Sequence, residues 1–155
     1  MFENIDIDIK NEIKNNIDEI KKTTNNKATL LLATKCVDAD RINYAISCGI
    51  THIGENRVNE LLEKYDRIDR EKVQLHFIGH LQRNKVKYII DKVDLIHSVD
   101  NYKLAATIDK YAKAIGKVQD ILIQVNISEE ESKSGIMFSE IESFITEISK
   151  FEYLN

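Results

Sequence analysis

The stretch ATLLLATKCVDADRINYAISCGITHIGEN, residues 28–56, decides the fold. Its first seven residues form an apolar run that reads as a buried strand, residues 28–34, closed by Lys35. Asp38-Ala39-Asp40 then offers a helix cap, Ile42, Ala45 and Ile46 recur at helical spacing, and Gly49 stands where a helix would stop. A second apolar segment, Ile50-Thr51-His52-Ile53, follows at once. Strand, helix and strand in so few residues predict a βαβ unit with parallel strands.

The alternation persists in both directions. Upstream, Ile9, Ile13, Ile17 and Ile20 predict an amphipathic helix over roughly residues 5–24, ended by Thr23-Thr24-Asn25-Asn26. Downstream, Val58, Leu61, Leu62 and Tyr65 mark a helix, Val73 to Ile78 a strand, and Val86, Ile89 and Ile90 a helix. Leu95 to Val99 reads as a strand capped by Asp100-Asn101, and Leu104, Ile108, Tyr111, Ala112 and Ile115 as the next helix, closed by Gly116. Residues 121–127 read as the fifth strand. Ser139 and Glu142 suggest a capping box before a last stripe of Ile141, Phe144, Ile145 and Ile148. One helix followed by five strand–helix units implies a parallel α/β fold, either an open doubly wound sheet or a (β/α)₈ barrel, and both place chemistry at the C-terminal ends of the strands.

Composition narrows the function classes. The chain has 155 residues, 43% of them apolar, enough for a real core in a single domain. A formal net charge of −4 argues against a nucleic-acid surface. The cysteines, Cys36 and Cys48, form no Cys-x-x-Cys motif and are expected to be reduced thiols. No leader or membrane-spanning segment is recognisable, so a cytoplasmic protein without membrane contact is expected. The turn after the first strand has no glycine, which disfavours a dinucleotide fold, and no P-loop occurs. His76 and His80 lack a third nearby ligand, so no metal site is expected. His52 and His97 read as core histidines, and Cys36 should face away from Lys35 on an extended strand. Arg83-Asn84-Lys85 reads as a solvated face with an anion contact as the sharper option.

Lys35 is the residue of greatest interest. An amine at the end of a buried strand sits at the edge of a dry core, where its neutral form is favoured and can attack a carbonyl. The plainer reading is a lysine reaching solvent where the strand ends. Polar residues also gather at the other predicted strand ends: Glu55-Asn56, His80, Ser98, Asn126 and Lys133.

Five segments carry a resemblance: Leu31-Leu32-Ala33-Thr34-Lys35, Ile53-Gly54-Glu55-Asn56-Arg57-Val58-Asn59-Glu60, residues 76–85 from His76 to Lys85, Ile96-His97-Ser98-Val99-Asp100, and Gln124-Val125-Asn126-Ile127 with Ser132-Lys133-Ser134-Gly135-Ile136. Together they resemble the pyridoxal phosphate homeostasis (YggS-type) proteins, relatives of the alanine racemase N-terminal domain. The resemblance implies a (β/α)₈ barrel and pyridoxal 5′-phosphate (PLP) held as a Schiff base on Lys35. It implies Asn56, His80, Ser98 and Asn126 around the cofactor, and Lys133 as a second amine, an acceptor or relay in transfer. The implied role is to bind, carry and buffer PLP without established turnover, with PLP-dependent apoenzymes as recipients and a monomer as the family's state. A racemase-like enzyme is the alternative, and a fragment without cofactor a third. The family usually has Ser-Lys-Thr-x-Pro around the lysine, whereas here Thr34-Lys35-Cys36-Val37-Asp38 lacks the proline, so a looser loop is expected. Residues 1–155 are expected to be one incomplete barrel domain lacking the last three strand–helix units, with the sixth strand due to begin near Phe151 and with the first and fifth strands as open edges through which a dimer could form. The expected cost is the phosphate anchor, which this barrel type commonly builds from its last strand ends.

Overall fold

The computed structural model describes residues 4–25, 27–128, 130 and 133–155, which cluster into two compact units divided between Leu75 and His76. Asn26 and Ser132, both part of sequence readings above, lie outside the described residues.

The first unit opens with α1, Ile7–Thr23, whose N-terminus is capped by the Asp6 carboxylate accepting from the Asp8 N–H at 2.8 Å. Its apolar stripe buries Ile17, half-buries Ile9 and Ile13, and leaves Ile20 exposed. Strand β1, Leu31–Ala33, is shorter than the apolar run around it. Helix α2, Ala39–Ser47, is capped by Asp38, which accepts from the Arg41 N–H at 2.9 Å. The helix buries Ile42, Ala45 and Ile46; each such isoleucine contributes about 1.5–3 kcal/mol of transfer free energy. Gly49 ends this helix with φ +87, a backbone that a side chain would strain. Strand β2, His52–Glu55, pairs in parallel with β1, Leu31 opposite His52 and Ala33 opposite Gly54. Helix α3, Val58–Lys64, follows directly, and Gln74, the first residue of β3 (Gln74–Phe77), donates its N–H to Thr51 O at 2.9 Å.

The second unit takes up β3 at His76. His76 stands opposite Leu95 and Phe77 opposite Ile96 of β4, Leu95–Val99, again in parallel. Helix α4, Val86–Ile89, comes between them; Val86, Ile89 and Ile90 are fully buried, as their spacing predicted. Helix α5, Tyr102–Ala114, starts at Asn101, whose side-chain oxygen accepts from the Leu104 N–H at 2.9 Å. It buries Leu104, Ile108 and Ala112 but leaves Ile115 exposed. Strand β5, Asp120–Ile123, pairs in parallel with β4 across an irregularity between Ile96 and Val99. Residues 121–127, read as one strand, divide at Gln124. Val125–Asn126 is a separate strand, β6, pairing with β7, Ile136–Met137.

Two further expectations are corrected. Ser139 does not cap the last helix: residues 138–140 form a 3₁₀ turn, and α6, Ile141–Ile148, begins without a side-chain cap bond. Nor is β5 an open edge along its length. Leu154 bridges Gln119 in parallel; the Gln119 N–H donates to Tyr153 O and the Ile121 N–H to Asn155 O. The backbone of Tyr153 to Asn155 thus runs along the start of β5, near where the alternation placed a further strand.

Candidate functional site

Lys35 lies in a turn beyond β1, and its side chain is exposed. The dry-core expectation therefore fails, because β1 stops at Ala33 and the chain has turned out before Lys35. The turn itself is held at several points. The Thr34 N–H donates to Gly54 O at 2.8 Å, and the Val37 N–H to Thr34 O at 3.0 Å. Cys36 has φ +61, a left-handed backbone uncommon for a side chain of this kind. Its N–H donates to Glu60 Oε2 at 2.8 Å. Cys36 therefore does not occupy the opposite face of an extended strand. The loss of proline does not leave the turn loose: hydrogen bonds from β2 and α3 supply the constraint.

Beneath this turn lies a buried ion pair. Glu55 is 1% exposed, and its Oε2 meets the ammonium of Lys64, whose side chain is 10% exposed. The same carboxylate accepts from Thr34 Oγ1 at 3.2 Å and, through Oε1, from the Asn56 N–H at 2.9 Å. Lys64 Nζ also donates to Thr34 O at 2.8 Å and Val37 O at 3.2 Å, on either side of Lys35. The Lys64 ammonium thus has three acceptors and both Glu55 oxygens are engaged, which is what a buried pair needs to repay its desolvation. Asn56 is half-buried directly after Glu55. Glu60 also meets Arg57 at 2.9 Å, and the Cys36 N–H, with that guanidinium, holds its carboxyl below the ordinary glutamate value.

Sequence reasoning missed Glu55 and Lys64 as a pair. It placed Leu62 on the inner face of α3, but Leu62 is exposed and Lys64 takes the buried position two turns after Val58. A signal existed: Val58, Leu61 and Lys64 recur every third residue, and a charged residue in an apolar stripe calls for a buried partner.

In the second unit the remaining candidates separate. His80 is exposed, with Nδ1 3.7 Å from Asp100 Oδ2. Ser98 is 2% exposed, and its Oγ has no hydrogen-bond partner among the described residues. Asn126 is buried, and its side-chain amide donates to Glu130 O at 2.8 Å and Lys133 O at 3.4 Å, so it organises the loop that carries Lys133. Gly135 permits the return: with φ +132, a Cβ there would stand 2.6 Å from Asn126 N. Lys133 is exposed and pairs with Glu130 at 2.7 Å. His76 Nδ1 meets His97 Nε2 at 2.9 Å, a contact that parallel register creates and residue spacing conceals. Burial lowers His97 from the ordinary imidazole value. Among the described residues no three or more His, Cys, Asp or Glu side chains gather as a metal site, and no helix is long and apolar enough to cross a membrane.

The family described as "Alanine racemase, N-terminal domain" matches residues 7–155. A pyridoxal phosphate homeostasis protein of Aquifex aeolicus is 48% identical over 111 residues, 72% of this chain and 49% of that protein. Its counterpart from Buchnera aphidicola subsp. Schizaphis graminum is 34% identical over 156 residues, 98% of this chain and 68% of the relative. The chain thus spans between about half and two thirds of these relatives' length. Among solved structures, PipY of Synechococcus elongatus without PLP superposes with a TM-score of 0.86 at 26% identity, covering 92% of this chain and 67% of PipY. PipY with PLP bound gives 0.81 at 24% identity, covering 92% and 66%. The fold is therefore that of the alanine racemase N-terminal domain, and the chain belongs to that family and, within it, to the pyridoxal phosphate homeostasis proteins.

Proposed function

We propose that this chain binds PLP through Lys35 and serves to hold and release the cofactor in the cytoplasm rather than to turn over a substrate. The observation that carries the reading is the exposed Lys35 amine, presented at a strand's C-terminal end on a turn that Glu60 and Lys64 hydrogen-bond. PLP, when bound, supplies an aldehyde that a lysine amine attacks reversibly with loss of water. A residue that must both take up and give back its cargo is served by access to solvent, which Lys35 has. Membership in the pyridoxal phosphate homeostasis proteins, and a PLP-bound structural relative, support the choice of cofactor.

The chain's other residues fit in graded ways. Asn56 stands beside the Lys35 turn in the same unit, so it is the nearest candidate for a cofactor contact. His80, Ser98 and Lys133 are assigned to the cofactor by the same reading; the buried Oγ of Ser98, without a partner among the described residues, is a polar atom that a ligand group would satisfy. Asn126 is assigned an indirect part, since its amide is spent on the Lys133 loop. Lys133 is the proposed second amine in handing PLP to apoenzymes.

The test is a spectrophotometric titration with PLP of the wild type, Lys35→Ala and Lys133→Ala. The reading expects a saturable visible band for wild type and Lys133→Ala and none for Lys35→Ala. Equal bands for wild type and Lys35→Ala would refute it.

A further inference from the structure

We infer that Glu60 and the buried Glu55–Lys64 pair are positioning residues for Lys35, holding the Thr34–Val37 turn in the conformation that presents its amine. The inference rests on the reading of Lys35 as the cofactor-bearing residue, and it assigns the work to side chains that never touch the cofactor. Three anchors bracket Lys35. Lys64 Nζ binds the carbonyls of Thr34 and Val37 at 2.8 and 3.2 Å, before and after it. Glu60 Oε2 receives the N–H of Cys36, the residue that makes the left-handed turn, at 2.8 Å. Glu55 fixes the Lys64 ammonium and also accepts from Thr34 Oγ1 at 3.2 Å. A chain free to leave φ +61 at Cys36 would do so, because a residue with a Cβ prefers negative φ. The anion at Glu60 is what holds the Cys36 N–H in that orientation. Glu55, Glu60 and Lys64 lie within ten residues on β2 and α3, so a single strand–helix segment locks the neighbouring strand end.

Glu60 is the gentlest place to test this, being partly exposed on a helix. Three forms of the purified chain are compared: wild type, Glu60→Ala, which removes the acceptor at a helix-compatible site, and Glu60→Gln, which restores an acceptor without charge. Amide hydrogen exchange at Cys36 is read alongside the rate at which PLP and borohydride label Lys35. Loss of a hydrogen bond to a charged acceptor should speed Cys36 exchange about tenfold or more in Glu60→Ala. Lys35 labelling should slow by a similar factor, with melting lowered by no more than about 3–6 °C, and Glu60→Gln should recover part of both. Wild-type protection at Cys36 should also fall as pH drops through Glu60's lowered value, a step that Glu60→Gln lacks. The Glu55→Gln/Lys64→Met double variant, which removes both buried charges at once, should slow labelling as well. Wild-type exchange at Cys36 in Glu60→Ala overturns the inference, and so does faster exchange with unchanged labelling. If wild-type Lys35 takes no label at all, the cofactor reading fails instead, and Cys36 exchange alone then decides whether the turn is clamped.

Discussion

Replacing Lys64 with Met should be among the most destabilising single changes in the first unit. Methionine matches the length and apolar stem of lysine, so the change removes charge with little change in volume. It leaves Glu55, 1% exposed, as a buried carboxylate without its counter-ion. Removing one partner of a buried pair typically costs about 3–5 kcal/mol. The lost donations to Thr34 O and Val37 O belong to the same change and are not added separately. At roughly 2–4 °C per kcal/mol for a chain of this size, melting should fall by about 6–20 °C. The double variant Glu55→Gln/Lys64→Met separates a stranded charge from general damage. Its amide oxygen can still accept from the Asn56 N–H while its NH2 donates to Thr34 Oγ1, and no charge is left buried, so it should recover most of the loss, to within about 1–2 kcal/mol of wild type. Urea denaturation followed by circular dichroism measures all three. A Lys64→Met chain within about 1 kcal/mol of wild type, or no more affected than the double variant, would refute the reasoning, whose basis is that stranding a buried charge costs several times that.

Other consequences are more local. Because burial lowers His97, its proton binds the unfolded chain more tightly. Its stabilising contribution is complete above the unfolded value of about 6.5 and declines as pH falls from there towards the folded value; His97→Gln should flatten the urea midpoint against pH across that range, and an unchanged slope would contradict it. Ser98→Ala removes a buried hydroxyl without a partner among the described residues, so stability should be equal or higher by up to about 1 kcal/mol, read by thermal melting. Gly135→Ala would push a Cβ into the backbone of Val125 and Asn126 at φ +132, costing about 1–3 kcal/mol and exposing the Lys133 loop to limited proteolysis. Unchanged cleavage would count against the tight return described there.

The parallel α/β character was legible because it rests on signals that one residue carries alone. Asp38 and Asn101 cap the helices their positions announced, and Val86, Ile89 and Ile90 are buried as their spacing requires. Lys35 and Asn56 were legible as strand-end residues, and Lys133 as a loop amine. What escaped depends on partners distant in sequence. Ala33 and Thr34 look equally strand-like, yet the strand stops between them and the chain turns, with the Val37 N–H donating back to Thr34 O and Cys36 in the left-handed region. Lys64 looks like a surface lysine until Glu55 is placed beneath it, and the contact between His76 and His97 exists only once β3 and β4 are in register. Asn126 was legible as a polar residue near a strand end, but its amide's hydrogen bonds to Glu130 O and Lys133 O depend on how the following loop folds back.

Incubation with PLP, reduction with borohydride and peptide mapping by mass asks whether Lys35 bears the cofactor. One dominant phosphopyridoxyl adduct is expected, on Lys35 and lost in Lys35→Ala. An adduct spread over surface lysines, or concentrated elsewhere with Lys35 unmodified, would contradict it.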